Sequence, residues 1–145
     1  MKKIFCAFLL TVIMVLAVGC SSDQPTKASG AILNVLPQSL RNEVAAANPD
    51  VVSLDYFGNH AEDYKKNTYY DLIIIKGKVT HFGINNTGSY LVNLDNSKYS
   101  LIIYDDNSNF VEGKEYIFIT NDLPSLFGDE ILINTPYYFC LSDEV

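Results

Sequence analysis

The stretch Asp71-Leu-Ile-Ile-Ile-Lys-Gly-Lys-Val-Thr-His-Phe82 (DLIIIKGKVTHF) decides the fold. Leu72 to Ile75 is apolar at every position, so this half of a strand expects cover on both faces. After Gly77 the pattern changes to Lys78, Val79, Thr80. A glycine inside a strand pattern marks a bend or a bulge. A long strand that bends partway along can serve two sheets, and that is how a small barrel closes.

Working outward, residues 89–104 read SYLVNLDNSKYSLIIY. If Asp95–Lys98 forms a turn, Leu94 opposes Tyr99, Val92 opposes Leu101 and Tyr90 opposes Ile103. Those six apolar side chains share one face, because side chains alternate along a strand. The other face carries Ser89, Leu91, Asn93, Ser100, Ile102 and Tyr104. A slip of one residue would destroy this sorting. On the outer face Leu91 opposes Ile102, and Tyr104 lies diagonally from Leu91. With Asn93 and Ser100 beside them, these residues resemble a small binding patch of greasy area and orienting polar groups. The competing expectation is that a helix from residues 36–65 packs there and buries the patch.

From Tyr69 onward Ile, Val, Tyr, Phe and Thr dominate, broken by Asn, Asp, Gly and Ser clusters, which predicts strands. Five are expected, at about 70–82, 88–95, 98–105, 114–121 and 130–141, with 122–129 as a breaker containing Pro124 and Gly128. Two helical patterns precede them. In LPQSLRNEVAAAN (36–48), Leu36, Leu40 and Val44 share a face, and Pro49 bars continuation. In SLDYFGNHAEDYKKN (53–67), Leu54, Phe57, Ala61 and Tyr64 share a face, Ser53 is placed to cap, and Gly58 costs about 1 kcal/mol of helix stability. The fold class is therefore mainly β (α+β): a five-stranded small barrel preceded by one or two short helices. A short sandwich or another small β-barrel fits the same strand pattern.

The bent strand with Ile75-Lys-Gly-Lys-Val79, the tight hairpin after it, and Val111-Glu-Gly-Lys-Glu-Tyr-Ile-Phe-Ile119 leading the fourth strand resemble an OB-fold. The helical stretch with Asn59, Ala61, Tyr64 and Lys65 just before that strand is similar to the tRNA-anti-like OB-fold family of bacterial lipoproteins. The likeness covers about residues 50–141 and implies an OB-like five-stranded barrel. It carries no tRNA-binding residue over to this chain.

The N-terminus supplies an address. Lys2 and Lys3 precede an uncharged run from Ile4 to Val18. Fifteen helical residues span roughly 22 Å, against a hydrocarbon core of about 30 Å, so the run suits a signal-peptide core better than a membrane span. Leu16-Ala-Val-Gly-Cys20 resembles a bacterial lipobox, in which the peptidase cuts before a cysteine whose thiol carries a diacylglycerol. The expected organisation is a signal peptide at 1–19, lipidated Cys20 and a polar tether at 20–32, a helical lead-in at 33–66, and the OB-like barrel domain at 67–145. Two acyl chains hold a protein on a bilayer where one is marginal. The expected location is therefore the extracytoplasmic side of the cell membrane, with membrane lipid as a partner through Cys20.

Loss of Lys2 and Lys3 with the leader leaves 8 basic and 17 acidic residues, a net charge of −9. Such a chain is repelled by phosphate backbones, so nucleic acid is not an expected partner. Cys6 leaves with the leader and Cys20 is alkylated, so Cys140 is alone, with no internal disulfide to form and no basic neighbour to activate it. His60 and His81 are the two histidines, and no zinc spacing, phosphate loop, nucleophile elbow or HExxH motif is present. Asp105-x-Asn107-x-Asn109 starts like a calcium loop but has Phe110 at the sixth position and Tyr116 at the twelfth, which fails the EF-hand pattern.

No cofactor or metal is expected, and no catalytic residue is assigned. The function expected is a non-catalytic binding or interaction module at the cell envelope, its partner an envelope protein, a peptide or a glycan. The expected site is Leu91, Asn93, Ser100, Ile102 and Tyr104. A single-strand nucleic-acid binder and an envelope enzyme are the alternatives. The first lacks a basic groove and the second lacks convergent titratable groups.

Overall fold

Gly77 lies where one strand passes from one sheet to another. In the computed structural model, which describes residues 23–66, 72–104, 109–121, 124–133 and 137–141, this strand is β3 (Ile73–Ile84). Residues 73–78 pair antiparallel with β6 (Glu115–Thr120), and residues 79–84 pair antiparallel with β4 (Tyr90–Leu94). A Cβ on Gly77 would come within 2.9 Å of Leu94 Cβ and 2.6 Å of Asp95 Oδ2. The glycine therefore serves close approach of the β4 end to β3. The break in register comes later, between Val79 and His81. The extra residue, Thr80, lets Val79 and Phe82 both face inward, as a bulge does.

The remaining elements are β1 (Thr26–Lys27), α1 (Gly30–Asn34), α2 (Gln38–Ala47), β2 (Asp50–Val52), α3 (Leu54–Asn59), α4 (Ala61–Lys66), β5 (Ser100–Ile103), β7 (Ser125–Phe127), β8 (Glu130–Ile133) and β9 (Tyr137–Cys140). The molecule is mainly β, and its sheet curls around the core. β4 pairs β5, β5 pairs β8 in parallel, and β8 pairs β7. From its other half β3 pairs β6, and β6 pairs β9. β2 runs parallel to β3, with β1 on its outer edge.

Five strands were expected and nine are present among the described residues. Two of the additions, β1 and β2, arise from short runs too small to announce themselves in sequence; β2 gains its pairing from the edge of β3, and β1 from β2. The segment expected as a breaker contains β7, which pairs β8 across the two-residue turn Gly128–Asp129, where Gly128 has φ +66°. The last expected strand is divided into β8 and β9. Part of the segment expected as a polar tether is structured. Thr26 pairs with Val51, and Ile32 is buried with Leu36 against Val44, Ile74, Ile117 and Ile119. One or two helices were expected; four short ones form among the described residues. Ser53 caps α3 as expected, accepting the Tyr56 N–H at 3.0 Å. The second expected helix is broken at His60, whose φ of −111° and ψ of 11° leave the helical region.

The hairpin register is as expected at Tyr90–Ile103, Leu91–Ile102 and Val92–Leu101. Its turn falls one residue early. Asp95 and Asn96 both have positive φ, as a type I′ turn requires, and Ser97 N–H donates to Leu94 C=O at 2.9 Å. The slack at Ser97–Tyr99 is taken up by Asn93, whose side-chain amide donates to the carbonyls of Ser97 (2.7 Å) and Tyr99 (2.8 Å).

Two apolar clusters result. The inner one holds Leu54, Phe57, Ile75, Val79, Val92, Leu94, Leu101, Ile103, Phe118, Ile131 and Ile133 among others, and α3 contributes to it from one end of the curl. Phe110 anchors an aromatic group there, its ring 5.4 Å from Tyr116, 5.8 Å from Phe118 and 4.9 Å from Tyr138. The second cluster lies between α1, α2 and the outer side of β3 and β6. No described helix is long and apolar enough to cross a membrane.

Candidate functional site

The outer face of β4 and β5 is not the packing surface of any described helix. The apolar stripes of α1 and α2 enter the cluster over Ile74, Ile117 and Ile119, and α3 enters the inner cluster. Neither cluster includes Leu91 or Ile102. These two are in register, and Ile102 is in register with Leu132 on its other side. Gly83 and Ser125 extend the row to β3 and β7. A row Gly83–Leu91–Ile102–Leu132–Ser125 thus crosses five strands, with its apolar part on the middle three.

Ile102, in register with half-buried Leu91 and Leu132, is 6% exposed although it belongs to neither apolar cluster. Leu91, Asn93 and Ser100 are half-buried, and Tyr104 is 55% exposed. All five expected residues therefore lie on one face, but as a shallow surface with a filled centre. Asn93 is committed to structure. Besides its two donated bonds, its side-chain oxygen accepts the Thr80 hydroxyl at 2.6 Å. It fixes the sheet under the face.

Sequence reasoning missed two contributors. Leu132 lies in an all-apolar run, Ile131–Ile133, where alternation gives no signal of facing. Phe127, 59% exposed, stands beside the Gly128–Asp129 turn and is in register with Glu130, which is in register with Ser100. A Gly-Asp pair between apolar residues is a hairpin signal that could have revealed this strand. Tyr104 and Phe127 thus bracket the apolar row from opposite ends of the strands. The neighbouring β3–β4 loop is ordered by Asn85, whose side-chain oxygen accepts from Thr87 N–H and Ser89 N–H, each at 2.9 Å.

The other singled-out groups lie apart from this face or beside it. His60 Nδ1 is 2.8 Å from Tyr56 C=O, and its ring stacks on Tyr56 at 4.0 Å. His81 is exposed, 3.5 Å from Glu112. Cys140 is half-buried on β9. Residues 105–108 of the calcium-like stretch, and Cys20, lie outside the described residues. Among the described residues no group of three or more His, Cys, Asp or Glu is placed to hold a metal. Burial, reinforced by the nearby Tyr56, Asp50 and Asp63, pushes the Tyr64 phenol up to about 12. Burial also raises Tyr116, which accepts the Val111 N–H at 3.1 Å. Compared with models of known protein families and with curated proteins, the chain matches none.

Proposed function

We propose that this chain is a membrane-anchored bacterial lipoprotein whose OB-like barrel acts as a non-catalytic binding module at the cell envelope. The barrel reading takes β6 with β7, and β8 with β9, as the fourth and fifth runs of a five-run barrel. The order of pairing, first to second to third to fifth and first to fourth to fifth, supports it, including the parallel match of β5 with β8. OB-folds take ligands across the second and third strands and the loops beside them.

The observation that carries the binding reading is the row Leu91–Ile102–Leu132, on which no described helix packs, between exposed Tyr104 and Phe127. Such a surface suits a partner that lays apolar or aromatic groups along it, with Asn93 and Ser100 at its border. The lipobox-like Leu16–Cys20 stretch supports the envelope address.

The test is capture from detergent-solubilised envelope with wild-type and Tyr104→Ala protein as bait, beside urea unfolding of both. The expected result is loss of the captured partner with a stability change within about 1 kcal/mol. Retention of the partner by Tyr104→Ala would remove this face from consideration. Anchoring is tested separately: intact-mass analysis should show an acylated N-terminal Cys20.

A further inference from the structure

The anchor and the barrel are closer than the polar composition of residues 21–31 suggests. Asp23 is already tied to the domain, its carboxylate accepting the Ser53 hydroxyl at 2.6 Å. Only Ser21 and Ser22 separate it from Cys20, so the lipidated cysteine lies within about 11 Å of Asp23 even if the chain is fully extended. Ser53 caps α3, and one helical step on, Asp55 accepts the Ser97 hydroxyl at 2.6 Å. Tyr99 hydroxyl donates to Asn59 at 3.0 Å. The point of attachment is thus connected, through α3, to the β4–β5 turn at one end of the barrel. The β3–β4 loop lies at the other end, roughly 23 Å farther along β3 from Gly77 to Ile84 at about 3.3 Å per residue.

We propose that the barrel end formed by α3 and the Leu94–Ser97 turn is held against the bilayer headgroups, and that the β3–β4 loop end points away from the membrane. This rests on the lipid-anchor reading above. The occupant of the α3 end is the headgroup surface, because Ser21 and Ser22 alone cannot carry the domain clear of it. Attraction is not what holds it there. Asp23, Asp55 and Asp95 outnumber Lys78 and Lys98 at this end, and Lys27 is paired with Asp50 at 2.8 Å. The barrel alone therefore has no electrostatic reason to bind anionic lipid. In this orientation the candidate face stands upright on the membrane, with Phe127 toward the membrane end and Tyr104 toward the outer end, where a partner arriving from outside meets it first.

The test uses the mature lipidated protein, extracted from membranes and reconstituted into vesicles containing a lipid with a short-range quencher on its headgroup. In a Cys140→Ser background, a fluorophore is placed by Lys98→Cys or by Asn86→Cys, both at exposed positions. Flotation with the vesicles is measured first. A protein without an acylated Cys20 that does not float refutes the anchor reading, and the orientation falls with it. For protein that floats, quenching at the Lys98→Cys site should exceed that at the Asn86→Cys site by about threefold or more, given their separation along the strands. Equal quenching, or stronger quenching at the Asn86→Cys site, overturns the orientation while leaving the anchor standing. A spacer of about ten Gly/Ser residues inserted before Asp23 lengthens the reach several-fold and should collapse the difference. A difference that survives the spacer would mean that the α3 end binds lipid by itself, contrary to the tether argument. The unlipidated Cys20→Ser domain should likewise fail to float with anionic vesicles.

Discussion

A methyl group on Gly58 would run into the ring of Tyr99. Helix propensity favours Gly58→Ala by about 1 kcal/mol, yet overpacking of a buried contact costs about 1–3 kcal/mol. The ring is held by the inner cluster and by its bond to Asn59, so the overlap should win. Gly58→Ala is expected to lower the urea midpoint, and a rise would mean that Tyr99 moves aside at little cost. Gly77→Val is expected to lose about 1–3 kcal/mol in the same assay, because Leu94 and Asp95 occupy the space of its side chain. Tyr64 gives a pH dependence. Its phenol is raised from 10 to about 12, chiefly by burial, so the folded state favours the neutral form. The stability it contributes is complete below pH 10 and is lost as the pH climbs through 12. Urea midpoints between pH 9 and 12 should fall less steeply for Tyr64→Phe than for the wild type. Sequence alone exposed Gly77, because a glycine interrupted a β-branched run. It read Gly58 only as a weak helix residue, because the ring it accommodates belongs to Tyr99, just ahead of β5 and far along the chain.

The β4–β5 hairpin shows what periodicity can and cannot disclose at the level of elements. Alternation between Ser89 and Tyr104 specified the register, since any slip would have exposed Leu101 and Ile103. It did not specify the turn, because Asp95, Asn96 and Ser97 are all turn formers and the choice rests on Asn93 bridging the slack. Asn93→Ala should therefore cost about 1–3 kcal/mol, since two backbone carbonyls and the Thr80 hydroxyl lose a part-buried partner. An unchanged unfolding midpoint would show that water replaces those bonds without cost. The nearby Tyr104→Ala, on the same face, should be almost silent in stability, so the two variants separate the structural part of the face from the part open to a partner. The short strands β1, β2 and β7 were illegible for a different reason. Two or three residues have no period, and their pairing depends on a neighbour supplied by another part of the chain.

At the scale of the whole molecule the acidic balance carries its own expectation. With a formal net charge of −7 over the full sequence, single-stranded oligonucleotides should show no anisotropy change near physiological salt. Micromolar, salt-sensitive binding would restore nucleic acid as a ligand. The five sequence-legible runs account for the curl of the sheet, whereas the seating of α1 and β2 rests on Ile32 and Val51, which stand in runs too short to show a period. The order of pairing also has a temporal consequence. β3 finds β6 only after some forty residues have intervened, and β5 must wait for β8 to arrive in parallel. Such separations pay their loop-closure entropy before contacts return it, which places folding among the slow topologies, in milliseconds to seconds. Removing residues 137–141 should abolish cooperative unfolding, because β6 would lose its β9 partner. During synthesis the edge of β5 stays open until β8 emerges and that of β6 until β9 emerges, and through that interval the nascent chain is at its most prone to aggregate.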